Sequence, residues 1–167
     1  VGTVEERKNV LLVVRALEQL PDSLSLVIVG RPTKYADRVR QYVSRHHLSS
    51  RVRFLEGVPN ADLPAIYQQA EAFVYPSRYE GFGIPIIEAV QSGLPVVAAT
   101  GSCLEEAGGP DNIYVHPDDV EALREGIVKA IAQRECIVPR AQEYIRRFEN
   151  SNVARQVIDC YRRLERE

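Results

Sequence analysis

Short runs of aliphatic and β-branched residues recur along the chain. Each is closed by Gly, Pro or a polar turn, and helix-period segments lie between them. LVIV stops at Gly30, VRFL at Glu56-Gly57, AFVY at Pro76 and PVVAA at Thr100-Gly101. The pattern predicts strands over 24–29, 52–55, 72–75, 95–99 and 112–115. Helices are expected over 9–20, 35–46, 62–70, 84–92, 118–133, 140–148 and 153–165. Short strands alternating with helices form βαβ units and a mostly parallel sheet. Runs such as LVIVG, AFVYP and PVVAA suit strands covered on both faces. A length of 167 residues fits one domain. The expectation is therefore one α/β, Rossmann-like, doubly wound domain over 1–167, with residues 133–167 as closing helices.

Ligands of such sheets bind beyond the carboxyl ends of the strands. Gly2-Thr3, Gly30-Arg31-Pro32, Gly57-Val58-Pro59, Pro76-Ser77 and Ala99-Thr100-Gly101-Ser102 occupy those places. Singly, each glycine reads more readily as a turn than as a close approach to a ligand. RYEGFGIPIIEAV, over 78–90, carries more. Gly81 and Gly83 precede a helix whose first turn suits Pro85. Free N–H groups at that start, around Gly83 and Ile84, attract phosphate. Glu88, one turn inside, is placed to lean back and accept hydrogen bonds from ribose hydroxyls. Glu80, ahead of the helix, is placed to face a sugar on that phosphate. The plainer alternative is an exposed helix carboxylate and a dipole-stabilising one. The chain has no G-x-G-x-x-G and no P-loop lysine, so dinucleotide and Walker-type readings lack their signature.

Composition narrows the classes. A net charge of -2 argues against a dedicated nucleic-acid binder. No apolar run approaches the ~20 residues of a membrane span. Cys103, Cys136 and Cys160 show neither a disulfide framework nor metal spacing, which suits a reducing, cytoplasmic compartment. His46, His47 and His116 do not cluster with other metal ligands, so no metal is expected. Arg146, Arg147, Arg155, Arg162, Arg163 and Arg166 offer contact with an anionic membrane surface, at the inner face of the membrane. Glu143, Glu149, Asp159, Glu165 and Glu167 dilute that charge, and a solvated helix face is the simpler reading. The chain contains no Met and opens at Val1-Gly2-Thr3 like the end of a strand, which reads as a piece of a longer protein.

Glu80-Gly-Phe-Gly-Ile-Pro-Ile-Ile-Glu88 resembles the E-x7-E signature of retaining glycosyltransferases of the GT-B fold, family 4 in particular. AVQSGLPVVA continues the likeness. VGTVEERKNVLLVVRAL, LVIVG, VRFLEGVPNADLPAIYQQAEAFVYPS and HPDDVEALREGI resemble further landmarks of that family in order, over roughly residues 1–132. The resemblance implies the C-terminal, donor-binding half of such an enzyme, with the N-terminal acceptor half absent. It implies ribose binding by Glu88, donor-sugar contact by Glu80, and diphosphate neutralisation by Arg7 and Lys8. Gly81, Phe82, Gly83, Ile84 and Pro85 would line the donor, Val58 would pack on the base, and Gly2 and Gly30 would be close-approach positions. Thr3 departs from the Arg that many relatives carry after the first glycine. The VGT…RKN style is similar to that of mannosyltransferases of polysaccharide assembly, so GDP-mannose is the first donor expected and a UDP-hexose the second. The acceptor would be a saccharide or lipid-linked, with no metal cofactor. This half alone should turn over little or nothing. A non-catalytic nucleotide-sugar-binding module and a sugar-nucleotide epimerase of related fold are the alternatives.

Overall fold

The computed structural model describes residues 1–164. A 3-10 turn over Glu6–Lys8 leads into α1 (Val10–Leu17), followed by β1 (Leu26–Val29), α2 (Lys34–Arg45) and β2 (Val52–Leu55). After a second 3-10 turn, Asn60–Asp62, come α3 (Leu63–Gln68), β3 (Phe73–Tyr75), α4 (Ile84–Gln91), β4 (Val96–Ala99) and α5 (Leu104–Gly108). The chain closes with β5 (Ile113–Val115), α6 (Val120–Ala132), α7 (Arg134–Ile145), a 3-10 turn at Arg146–Phe148 and α8 (Asn150–Leu164). The expected end of the last helix at Glu165, and the charges of Glu165, Arg166 and Glu167, lie outside the described residues.

Every strand pairing is parallel. β1 pairs β2 from Leu26↔Val52 to Val29↔Leu55. β3 pairs β4 from Phe73↔Val96, and β4 pairs β5 from Val97↔Ile113. Parallel pairing brings the carboxyl ends of all the strands to one edge. The ladders divide into a two-stranded set, β1-β2, and a three-stranded set, β3-β4-β5. An isolated parallel bridge, Val4↔Pro32, continues beside the end of β1.

β4 shows why a run like PVVAA is apolar throughout. All four of its residues are buried. Val97 packs into a core with α1, α2 and α6. Val96 and Ala98 pack into a second core with α4, α5 and α7. Side chains alternate across a strand, so each face meets its own helix layer. β1 departs from the expectation of two buried faces: Val27 is 42% exposed, because its side of the ladder has no neighbouring strand.

Three further expectations need correction. The segment 104–108 forms α5, a helix too short to show periodicity. α7 starts at Arg134 rather than Arg140 and carries Pro139 inside it. Its hold comes from packing: Ile137, Ala141 and Ile145 are buried, and the Arg134 guanidinium donates to the carbonyls of Ala70 and Gly93 at 3.1 and 2.9 Å. Burial of that face outweighs the lost backbone bond at proline. Residues 60–62 form a 3-10 turn ahead of α3 instead of extending the helix. Among the described residues, no helix is long and apolar enough to cross a membrane.

Candidate functional site

The site begins with the turn that precedes α1. Asn9 adopts a left-handed backbone, φ 56°, which asparagine tolerates better than most residues. Its side-chain amide does not cap α1. It points inward and donates to the carbonyls of Pro76 and Pro117, at 3.2 and 2.7 Å. One buried amide thus ties the turn to the loops after β3 and β5. The fixed turn places Arg7 and Lys8 outside α1, so their charges do not burden its first N–H groups.

Both cations converge on Glu80. Lys8 Nζ lies 2.6 Å from Glu80 Oε1, and Arg7 Nη1 lies 3.0 Å from Oε2. Arg7 also donates to the Tyr79 carbonyl at 2.8 Å and pairs with Glu5 at 2.7 Å. Lys8 donates to the hydroxyl of Tyr75. The Lys8 and Glu80 side chains are 11% and 10% exposed, whereas Arg7 is 42% exposed. The inner pair is therefore shielded and the outer one wet. Burial is the largest influence on the Glu80 carboxyl and would raise its pKa. Hydrogen bonds from Lys8, Ser77 and Arg7, with the charge of Lys8, outweigh it and hold the carboxyl below its ordinary range. Glu80 Oε1 and Ser77 Oγ are nevertheless buried without a well-aligned hydrogen bond. Oε1 meets Lys8 as a close, shielded ion pair. Desolvation, with the neighbouring Glu80 next, pushes the Tyr75 phenol up, and it stays a neutral donor and acceptor.

The glycines sort into different roles. Gly2 packs beside Lys8: a Cβ there would lie 3.5 Å from Nζ. Gly30 lies against Gly2 so closely that a Cβ would overlap the Gly2 carbonyl, 2.6 Å from its carbon. Gly83 has φ 117°, and a Cβ would meet Leu104 and Ala107 at 3.0 and 3.1 Å. Its missing side chain lets the start of α4 rest on α5. Gly81 is exposed with open space around it, Pro85 is half-buried in the first turn of α4, and Ile84 stands 62% exposed. The Phe82 ring is turned onto Phe148, with centroids 5.3 Å apart. Val58 is half-buried in the loop after β2.

Glu88 lies on α4, where Tyr67 of α3 donates its hydroxyl to Oε2 at 3.1 Å. Burial, with the charge of Glu88 next, pushes the Tyr67 phenol up, so it remains a donor. Two cations and the Glu80 carboxylate thus gather at the carboxyl edge of parallel strands, with the Glu88 carboxylate on the adjoining helix α4. Such a constellation can bind an anion through its cations and hydroxyls through its carboxylates. Among the described residues, no group of three His, Cys, Asp or Glu is arranged to hold a metal ion.

The model of the family described as "Glycosyl transferases group 1" matches residues 1–150. The chain belongs to that family. It is 34% identical over 171 residues to the O-antigen chain mannosyltransferase B of Escherichia coli, covering 98% of this chain and 45% of that one. It is 34% identical over 157 residues to the O-antigen chain mannosyltransferase RfbU of Salmonella typhimurium, covering 94% and 44%. The chain therefore spans less than half the length of these relatives. Its fold is similar to HepE of Anabaena, solved in complex with UDP, with a TM-score of 0.86, 25% identity and coverage of 96% and 47%. Sucrose-phosphate synthase of Thermosynechococcus elongatus gives a TM-score of 0.84 at 28% identity, covering 98% and 44%. This is the α/β architecture of GT-B glycosyltransferases, as expected from the sequence.

Three residues of the candidate site escape a reading of the sequence. Asn9 looks like the start of a helix, and only its left-handed backbone reveals the clamp. Tyr75 and Tyr67 look like core aromatics and are 4% exposed. Their hydroxyls, however, meet Lys8 and Glu88. The usable signal is that a buried phenol needs a polar partner.

Proposed function

We propose that this chain is the C-terminal, donor-binding half of a family 4 retaining glycosyltransferase that moves mannose from GDP-mannose to a saccharide or lipid-linked acceptor. The observation that carries the reading is the convergence of Arg7 and Lys8 on Glu80 at the carboxyl edge of the strands, with Glu88 on the adjoining helix. Arg7 and Lys8 neutralise the donor diphosphate and stabilise the charge that grows as the nucleotide leaves. N–H groups at the start of α4 add to that field. Glu80 contacts the hydroxyls of the donor sugar. Tyr67 holds one oxygen of Glu88, leaving the other for the ribose. Gly2 and Gly30 let the backbone approach the donor, Gly81 to Pro85 line it, and Val58 covers the base. The positive charge comes from side chains, with no metal cofactor. The names of the Escherichia and Salmonella relatives favour mannose. A UDP-hexose is the second donor reading, favoured by the UDP in the Anabaena structure. The acceptor is held by an N-terminal half of the same enzyme, working in the cytoplasm at the inner face of the membrane.

Calorimetric titration with GDP, UDP and ADP, each beside its nucleoside, tests the reading. One diphosphate should bind saturably, and Glu88→Ala should weaken it by about 1.5–3 kcal/mol, the value of a charge-assisted hydrogen bond. An unchanged affinity in Glu88→Ala removes Glu88 from the site.

A further inference from the structure

Among the described residues, the buried polar ones are Asn9, Ser77 and Asn112. Two of them are spent on the backbone. Asn9 donates to the carbonyls of Pro76 and Pro117. Asn112 accepts from the Val96 N–H at 2.8 Å and donates to the Gly108 carbonyl at 2.6 Å. Ser77 is different: it is 0% exposed, and its Oγ has no aligned partner. A buried hydroxyl in that state costs stability that an alanine would not, so its presence calls for a reason outside packing.

The loop around Ser77 is laced to the turn that carries Arg7 and Lys8. Ahead of Ser77, the Pro76 carbonyl accepts from the Asn9 amide at 3.2 Å. Behind it, the Arg78 N–H donates to the Arg7 carbonyl at 2.8 Å. The polar neighbours of the Ser77 hydroxyl are the Tyr75 phenol and the Glu80 carboxyl. It opposes the rise of the phenol and adds to the fall of the carboxyl, as a donor beside two acceptors does. Both neighbours hold Lys8. The phenol accepts from Nζ, its ring faces the ammonium at 4.7 Å, and the carboxyl pairs with it at 2.6 Å. An ammonium carries three N–H groups, so with Tyr75 and Glu80 engaged one remains.

We propose that Ser77 is a positioning residue of the site: its hydroxyl, shared between Tyr75 and Glu80, steadies the carboxylate against Lys8 and so keeps one N–H of Lys8 for a phosphate oxygen of the donor. The proposal rests on the reading of Arg7 and Lys8 as the diphosphate-binding pair. A single donor drawn toward two acceptors lies on the line of neither, which accounts for its lack of an aligned bond. With that donor gone, the Glu80 carboxylate leans wholly on Lys8 and Arg7. Both cations then compete less well for an anion. Ser77 touches neither cation nor donor in this scheme and acts through Glu80 alone.

A double-mutant cycle tests this. Calorimetric titration with inorganic pyrophosphate is run on the parent chain, Ser77→Ala, Glu80→Gln and the double variant. Ser77→Ala removes only the Oγ. It should weaken pyrophosphate about threefold in the parent and leave the affinity of Glu80→Gln unchanged. Equal losses in both backgrounds, or no loss in the parent, overturn the proposal. A second measurement needs no ligand: the Glu80 carboxyl is titrated by carbon-13 NMR in parent and Ser77→Ala, with Lys8, Arg7 and the Tyr75 phenol as the charged and titratable groups that face it. Loss of a donor to the carboxylate should move its titration to higher pH, by about half a pH unit or more. An unmoved titration overturns the proposal. Should pyrophosphate fail to bind the parent, the diphosphate reading of Arg7 and Lys8 falls, and the Glu80 titration alone decides the role of Ser77.

Discussion

Glu80→Gln should pull stability and anion binding in opposite directions. The substitution keeps the shape of the side chain and removes its charge. In the folded chain Glu80 holds Lys8 at 2.6 Å and Arg7 at 3.0 Å. The shielded Lys8 contact carries most of the effect, since Arg7 is 42% exposed and its pairing is weakened by water. Its loss should cost about 2 kcal/mol and lower Tm by roughly 4–8 °C. Because the Glu80 carboxyl sits below its ordinary range in the fold, the contribution is complete above the unfolded value, about 4.3. It fades as pH falls through the folded value. The difference between variant and parent should thus be full at neutral pH and shrink below about pH 4. The freed cations should then attract anions more strongly. A phosphate on Arg7 and Lys8 would lie about 5 Å from the Glu80 charge, a repulsion of about 1 kcal/mol even at the dielectric of water. Removing it should tighten inorganic pyrophosphate binding about fivefold by calorimetry. Equal or weaker binding by a folded Glu80→Gln protein would refute the view that Glu80 restrains a phosphate-binding pair.

Tyr67→Phe deletes the hydroxyl that holds Glu88 and nothing else of the ring. It should weaken a nucleoside diphosphate about threefold to tenfold while leaving its 2′,3′-dideoxy analogue unchanged, as read by titration of both; equal losses would separate Tyr67 from ribose recognition. Gly30→Ala forces a Cβ into the Gly2 carbonyl. It should destabilise the fold by about 3 kcal/mol or more in urea unfolding. Gly57→Ala, at φ +65° with nothing within 4 Å, should cost only about 1–2 kcal/mol.

What the sequence reveals depends on where the decisive interaction lies. β2 is legible to the residue, over 52–55, because the short run Val-Arg-Phe-Leu meets a Glu-Gly stop. β4 is legible because burial on both faces leaves no polar position. α7 is not, since Pro139 reads as a boundary until Arg134, Ile137 and Ala141 are seen to anchor the turns around it. In the candidate site, Glu80 and Glu88 are recognisable by charge and spacing, and Arg7 and Lys8 through the family resemblance. Their geometry is not, because it is set by partners distant in sequence: Asn9 reaches Pro117 across 108 positions, and Tyr67 reaches Glu88 across 21. The division of the sheet is equally hidden, since LVIV has the same composition whether one of its edges is paired or both.

The packing of α7 on α4 has a consequence for the order in which the protein is made. α4 carries Glu88, yet part of its cover, including the Gln142 amide on the Val90 carbonyl, comes from residues 52 positions later. At a synthesis rate of roughly 5–20 residues per second, α4 waits some seconds on the ribosome before that cover exists. During this interval the buried side of the Glu88 helix is open to other chains. Translation speed across α5, β5 and α6 is therefore a lever on the yield of this protein, separate from the stability of its finished fold.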